Sequence, residues 1–385
     1  MTRILHLFNI FGAATEKAML DYTLALAGDG WELTAGYETL GDGAPLTPFP
    51  RVRLDRIHVE TETDIPGQME RIAAVANCPG HRALLDEPFD LVHGHFGPRI
   101  LQGAAWLARG IPMVLSIYGY DATRLLRDCC WIARYRWAAD HGATFVTLAQ
   151  SMADRLVGLG LPANRVRLIR LGVALDEHAY DPQPAPRQPR FVFIGRLVEK
   201  KGAEFVIRAT ELLACVHNRP AVVEMIGSGP LEPALRQLAD NLGIRGQVHF
   251  VGSVPFSELF HRLHGATALV QPSVAAADGD SEGAPMVLMH AQAAGVPCIT
   301  TAHAGNPEVL PPEAQGFVVP ERDPAALAGA MAAMIGLAGP GRAALQEQGR
   351  AWIASRYDLR QTSKGYGDLY RELLAVRELR GRAVA

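Results

Sequence analysis

The sequence predicts an α/β protein built as two doubly wound parallel-sheet domains that face an interdomain cleft. Three observations lead there. Short apolar runs alternate with amphipathic stretches, the pattern of strands buried on both faces beneath crossover helices. The segment 181–190, DPQPAPRQPR, carries four prolines in ten residues. Proline fixes φ, removes a donor and restrains its predecessor, so this segment reads as an extended linker. The alternation then restarts. The chain has 385 residues, enough for two cores at roughly 150 residues per domain.

The elements follow in order. A first strand is expected at 3–8. The opening MTRILHLFNIFGAA resembles an export signal in outline, but its apolar run is broken by His6 and Asn9 and followed by Glu16 and Lys17, which suits a buried strand. Further strands are expected at 31–37, 90–93, 112–117 and 144–148, with helices near 15–29, 68–86, 99–109, 124–141 and 150–159. These form an N-terminal domain over 1–180. Beyond the linker, strands are expected at 191–194, 221–226, 247–251, 268–271 and 297–301, with helices near 202–217, 230–242, 256–264, 284–294 and 323–336. A long helical pattern over 341–378 closes the chain. The second domain is placed at 191–359, and ligands should meet the carboxyl ends of the strands. No run of 18 apolar residues occurs, so no membrane span is expected.

Composition narrows the function. Hydrophobic residues make up 49% and charged residues 20%, values of an ordinary globular protein rather than a disordered one. Lys plus Arg number 37 against 40 Asp plus Glu, a net charge of −3, and the balance is even along the chain. Binding that depends on counterion release needs a strongly basic face, so no nucleic-acid partner is expected. The cysteines, Cys78, Cys129, Cys130, Cys215 and Cys298, are odd in number and form no CxxC. Neither a disulfide framework nor a zinc site is indicated, and a reducing cytoplasmic compartment fits.

The chemistry concentrates in two segments of the second domain. In FVFIGRLVEKKG, 191–202, an apolar strand ends at Gly195, Arg196 and Lys201 follow, and a helix begins near Gly202. Arg grips phosphate through two parallel hydrogen bonds, Lys supplies a compact charge, and a helix N-terminus adds partial positive charge. The plain alternative is a pair of solvated turn charges. Only four lysines exist in the chain and two occupy this turn, with Lys200 read as the solvated one. In DGDSEGAPMVLMHAQAAGVP, 278–297, an acidic loop ends in Glu282-Gly283-Ala284-Pro285 and leads into an apolar helix capped by Gly295. Glu282 either accepts sugar hydroxyls or complements the helix dipole. His290, eight residues on, falls on roughly the side of Glu282 if both are helical, or is a hydrogen-bonded core histidine. The Gly227-Ser228-Gly229-Pro230 turn is either a ligand contact or a tight strand-to-helix turn.

These residues resemble a family. GRLVEKKG, IGSGPL, VHFVGSV and PSVAAADGDSEGAPMVLMHAQAAGVP occur in the order and spacing of the family 4 retaining glycosyltransferases, which have the GT-B fold. LVHGHFG, SIYGYD and LAQSMADRLVGLG…VRLIRLGV in the first domain look like the family's corresponding segments, so the resemblance covers nearly the whole chain. Its flavour is that of bacterial exopolysaccharide and colanic-acid-type members, with roles in exopolysaccharide or lipopolysaccharide synthesis. The resemblance implies two Rossmann-like domains, acceptor first and nucleotide-sugar donor second, with the helix near 360–378 crossing back onto the first. It implies that Arg196 and Lys201 bind the donor diphosphate and that Glu282 faces the donor sugar. Gly195, Gly227, Gly283, Ala284 and Pro285 would line the donor. His290 stands where the family has a second acid for the ribose, and histidine lacks a carboxylate's two-oxygen grip on a diol. Gly12, His95, Tyr118 and Asp121 would face the acceptor or transferred sugar, with Tyr118 where many members have histidine. Gly12 and Thr15 also read as the loop into, and the cap of, the first helix.

The implied reaction moves a hexose-type sugar with retention from a UDP- or GDP-sugar to a saccharide or lipid-linked acceptor, with no metal ion or other cofactor. HGH at 93–95 suggests metal ligands, but no further ligand is spaced for them. The stretch RLLRDCCWIARYRW, 124–137, reads either as a basic aromatic helix lying on the inner face of the cytoplasmic membrane or as a helix with its aromatics in the core. The competing function is a non-catalytic sugar-nucleotide-binding protein of the same fold.

Overall fold

The structure is a computed structural model. It describes residues 2–384 apart from 14–15, 42–43, 60–61, 75–78 and 338, and no side chains over 380–384. The chain divides into two compact units, Met1–Gly172 with Leu359–Ala385, and Val173–Asp358.

The first unit holds a parallel sheet of β1 (Arg3–Phe11), β2 (Glu32–Leu40), β3 (Arg51–Arg53), β4 (Leu91–His95), β5 (Met113–Ile117), β6 (Thr144–Thr147) and β7 (Val166–Leu168), in the order β3-β2-β1-β4-β5-β6-β7. β4 and β5 are buried at every position, as strands covered on both faces must be. Around them lie α1 (Lys17–Gly28), α2 (Ile65–Ala74), α3 (Pro79–Leu85), α4 (Ile100–Ala108), α5 (Cys129–Asp140) and α6 (Gln150–Gly158).

The second unit has its own parallel sheet, β8 (Arg190–Ile194), β9 (Val222–Ile226), β10 (Val248–Gly252), β11 (Ala268–Gln271), β12 (Cys298–Thr301) and β13 (Val318–Val319), ordered β10-β9-β8-β11-β12-β13. Its helices are α7 (Ala203–Cys215), α8 (Glu232–Asn241), α9 (Phe256–Leu263), α10 (Met286–Ala293), α11 (Asn306–Val309), α12 (Pro324–Gly336) and α13 (Gly339–Arg356). α12 shows how sequence starts a helix: Asp323 accepts from Ala326 N at 2.8 Å, and Pro324 occupies the first turn, where no amide is missed. The last helix, α14 (Leu359–Val384), returns to the first unit. In both sheets the strand order reverses, between β1 and β4 and between β8 and β11. Loops leaving the two strands at such a reversal diverge and open a crevice at their carboxyl ends.

Several boundaries differ from the sequence reading. The chain passes between units at Gly172 and Asp358, not at the proline-rich segment. That segment is extended, but the Gln183 carbonyl accepts from Arg342 Nε at 3.0 Å and Gln346 Nε2 at 3.1 Å, which fastens it to α13 inside the second unit. The closing helix is broken at Tyr357–Asp358, where Val173 N donates to the Tyr357 carbonyl and the Tyr357 hydroxyl donates to the Glu308 carbonyl, both at 2.8 Å. The helix expected at 68–86 is two, α2 and α3. The stretch 124–137 is a turn followed by α5, capped by Asp128. Tyr135, Trp137 and Arg134 are buried, and Arg134 donates twice to Gln68 Oε1, so these three side chains are packing elements, while Arg124, Arg127 and Arg136 are exposed. Among the described residues no single helix is long and apolar enough to cross a membrane. The described cysteines are free, and Cys78 lies outside the described residues.

Candidate functional site

After β8 the chain turns through Gly195 and Arg196 into the short turn Glu199–Lys201, then into α7. The turn is packed from two sides. Gly202 has φ +70, and a Cβ there would meet the Pro272 carbonyl oxygen at 1.9 Å. Gly227 has φ +129, and a Cβ there would meet the Gly195 oxygen at 2.0 Å. Only glycine fits either place without backbone movement. Ser228 O accepts from Leu197 N at 2.9 Å, and Leu231 N donates to Leu197 O at 3.1 Å. In the structure, therefore, the Gly227-Ser228-Gly229 turn braces the Arg196 loop. Gly195 lies against the methylenes of Lys201.

Lys201 Nζ stands 2.8 Å from Glu282 Oε1, with both side chains largely buried. Burial by itself would raise the Glu282 carboxyl. Lys201, then Lys200 and His303, outweigh it and hold the group below the usual carboxylate range. Glu282 N donates to His303 Nε2 at 3.2 Å, and His303 Nδ1 lies 2.7 Å from Glu321 Oε1. An imidazole accepting at Nε2 carries its proton on Nδ1, so the hydrogen-bond network assigns Glu321 as the acceptor. Lys200 is not solvated as expected: it pairs with Asp280 at 3.0 Å. Glu199 accepts from Ala277 N and from Arg322 Nη2, each at 3.0 Å, and Glu321 Oε2 accepts from Ala275 N at 2.9 Å. The acidic loop is thus pinned at four places. Arg196 is exposed, and among the described residues no hydrogen bond or ion pair occupies its guanidinium. One open guanidinium and one carboxylate-held ammonium stand on the loop leaving β8, beside the loop leaving β11, at the reversal of strand order.

Gly283, Ala284 and Pro285 lead into α10, with the Gly283 carbonyl accepting from Gly305 N at 3.1 Å and Pro285 as the N-cap. Because α10 begins at Met286, Glu282 is in the preceding loop, and the helical spacing that put His290 on its side does not apply. His290 Nδ1 instead meets His178 Nε2 at 2.7 Å, with the rings within 5° of parallel. His178 Nδ1 bonds the Ala174 carbonyl at 2.8 Å, so its Nε2 is the acceptor and His290 Nδ1 the donor. Phe256 and Phe260 set their edges against His290.

The first-unit candidates separate into surface and interior. Tyr118 is half-buried, its hydroxyl 3.0 Å from both His95 Nδ1 and Tyr22 OH. His95 is fully buried and cannot face a sugar directly; it backs Tyr118 from below. Asp121 is also fully buried. Its carboxylate accepts from Tyr118 N at 2.9 Å, Gly119 N at 2.8 Å and Gly97 N at 3.1 Å, and burial pushes it up to about 6 against those three bonds. It shapes the loop that carries Tyr118. Gly12 has φ +79, and its lack of a side chain makes room for Ala44, 2.6 Å from where a Cβ would sit. The predicted cap Thr15 lies outside the described residues.

The ligand that HGH lacked in sequence is His6, brought beside it by the pairing of β1 with β4 in register His6↔His93. Ring nitrogens of His6, His93 and His95 come within 4.8 Å of one another. They are engaged with one another and with neighbours: His6 Nδ1 meets His95 Nε2 at 3.1 Å, and His93 contacts Tyr370 OH at 2.5 Å and Ser116 Oγ at 2.7 Å. Burial lowers all three, so they are neutral imidazoles in a hydrogen-bonded network. Sequence reasoning misses His6, His303 and Glu321 because each finds its partner only after folding.

Residues 14–172 match the Glycosyl transferase 4-like domain, and residues 177–352 match the Glycosyl transferases group 1 domain. The chain belongs to this glycosyltransferase family. It is 31% identical to the colanic acid biosynthesis glycosyltransferase named WcaL in Escherichia coli K12, over 63% of this chain and 61% of that one. It is 34% identical to the amylovoran biosynthesis glycosyltransferase AmsK of Erwinia amylovora, over 45% of this chain and 43% of that one. The chain thus spans less than two thirds of the length of these relatives. The solved structure of Anabaena HepE with UDP-glucose matches with a TM-score of 0.74 at 16% identity, over 97% of this chain and 100% of that one. That likeness gives the fold, GT-B, and the sequence resemblance to family 4 glycosyltransferases of the exopolysaccharide type stands. Lys201 on the loop leaving β8 meets Glu282 on the loop leaving β11, and His290 is bonded to His178.

Proposed function

We propose that this protein transfers a hexose-type sugar, with retained anomeric configuration, from a nucleoside diphosphate donor such as a UDP- or GDP-sugar to a saccharide or lipid-linked acceptor in cell-surface polysaccharide synthesis. The observation that carries this is an exposed Arg196 on the same loop as Lys201, whose ammonium is held by Glu282, at the reversal of strand order in the second unit. The names of the WcaL and AmsK relatives support the polysaccharide context.

Cleaving the sugar–phosphate bond puts negative charge on the diphosphate and positive charge on the ring. Arg196 and Lys201 would stabilise the first, and groups already in position need no reorganisation as the charge develops. Glu282 would accept a donor-sugar hydroxyl while holding Lys201 in place. The acceptor proton would pass to the departing phosphate oxygen on the same face, so no protein base is assigned. Two cationic side chains supply the charge that a metal ion would otherwise bring.

Nucleotide release measured across UDP- and GDP-sugars tests the reading. Arg196→Ala and Lys201→Ala should each lower kcat by about 10²–10³, or about 3–4 kcal/mol, the scale of losing one preorganised donor. Wild-type turnover in both variants refutes it.

A further inference from the structure

The first unit has a cavity of its own at its reversal of strand order. It holds about 250 Å³ and is lined by Phe96, Arg99 and Gln102 following β4, Arg56 following β3, Tyr120 following β5, and Trp131 of α5. None of these side chains has a part in the chemistry above.

The polar side of the cavity is organised around one carboxylate. Glu38, buried near the end of β2, accepts from Arg99 Nη1 at 2.7 Å and Gln102 Nε2 at 2.6 Å on Oε1, and from Arg56 Nε at 3.2 Å on Oε2. Two guanidinium groups on one carboxylate leave a positive charge in excess. Glu16 is close enough to feel Arg99, but burial pushes its carboxyl up to about 7, so it offsets that excess only in part near neutrality. Arg99 is 6% exposed and Gln102 2%, yet among the described residues Arg99 Nε and Gln102 Oε1 have no hydrogen-bond partner. Buried polar groups are nearly always paired, so the residues of this wall carry hydrogen-bonding capacity that the folded chain leaves unused.

The other side is aromatic. The Phe96 ring lies 4.7 Å from Tyr118 and 5.7 Å from Tyr120. Phe96 has φ +73 and ψ 145, a conformation nearly reserved for glycine. Strain of this kind persists where the surrounding structure uses it. Flat apolar faces opposite a few fixed polar groups are the make-up of a small-molecule pocket, and the volume suits one sugar ring rather than a chain. An excess guanidinium prefers a planar or tetrahedral oxyanion, met by two parallel hydrogen bonds.

We propose that this cavity binds an acidic sugar residue, one bearing a carboxylate or a phosphate, with Arg56 and Arg99 meeting the anion and the aromatic wall meeting the ring. The residue's place as part of the acceptor rests on the glycosyltransferase reading; the binding itself does not.

Saturation-transfer NMR on the full chain tests it with three probes: methyl glucuronide, methyl glucoside 6-phosphate and methyl glucoside. At least one acidic probe should bind ten-fold or more tighter than the neutral one, and which of the two does so tells carboxylate from phosphate. Arg56→Gln, at a largely exposed side chain, should abolish the preference with the circular dichroism spectrum unchanged. Added UDP or GDP should not displace the acidic probe. Equal binding of all three probes, binding of none, a preference that survives Arg56→Gln, or displacement by the nucleotides overturns the proposal. Failure here leaves nucleotide binding by the second unit intact, and failure of nucleotide binding leaves this result readable.

Discussion

Lys201, Glu282 and His303 show how much a residue's role depends on what folding puts beside it. A buried carboxylate is costly unless paired, and here Lys201 supplies the charge while the backbone of Glu282 is fixed by His303. Glu16 is the opposite case. It is buried, its Oε1 accepts from Ile10 N at 3.1 Å, and burial pushes its carboxyl up to about 7. A carboxyl raised on folding binds its proton more tightly in the native state than in the unfolded chain. It therefore costs stability as pH rises from the unfolded value near 4.5 through about 7. Glu16→Gln keeps the acceptor and removes the charge. Its unfolding free energy should match wild type near pH 4 and exceed it at pH 8, by up to about 3 kcal/mol at 1.36 kcal/mol per pKa unit, as read by urea denaturation at the two pH values. An equal difference at both would mean the carboxyl is not raised. The loop positions of Arg196 and Lys201 after an apolar strand, and of Glu282 before an apolar helix, were legible in the sequence. The Glu38 bonds to Arg99 and Gln102 were not, since they join residues some sixty positions apart.

At the scale of elements, strands such as β5 and β8 were legible because short, mainly apolar runs set between amphipathic stretches have few other fates. β3, β7 and β13 are two or three residues long, too short for a period to show. The break before α14 carries neither Gly nor Pro at 357–358. Its cause is tertiary, the anchoring of Tyr357 to Glu308 and Val173. α14 itself is docked through polar contacts in the interior, Tyr370 to His93 and Tyr366 to Ser116. Tyr370→Phe should leave a buried ring nitrogen unpaired and destabilise the first unit by about 1–3 kcal/mol, measured by chemical denaturation followed through α14 amide exchange. Unchanged exchange would mean that apolar packing alone fixes the helix. The histidines add a pH term of known sign. Lowered on folding, they stay neutral in the native state and take up protons on unfolding, so their contribution is lost as pH falls below 6.5 toward about 3, the native value of His6.

For the whole molecule, the two-domain α/β architecture followed from alternation and a midpoint break. The true crossing points did not, because proline marks a stiff segment without saying which domain it packs on. Val173–Asp358 is continuous and has its own sheet and core. Expressed alone, it should fold cooperatively and gain thermal stability on adding the donor nucleotide, since a ligand of the native state raises the transition. A fragment that aggregates or ignores nucleotide would show that the donor site needs the rest of the chain. Arg196 and Lys201 are proposed to hold a diphosphate together. Calorimetric titration of UDP and GDP into the full chain, beside the Arg196→Ala/Lys201→Ala double variant, addresses it most directly. One nucleotide should bind wild type, and the double variant should bind it at least a hundred-fold more weakly, about 2.7 kcal/mol, with a circular dichroism spectrum that still shows a folded chain. Equal affinity in the two proteins would contradict it.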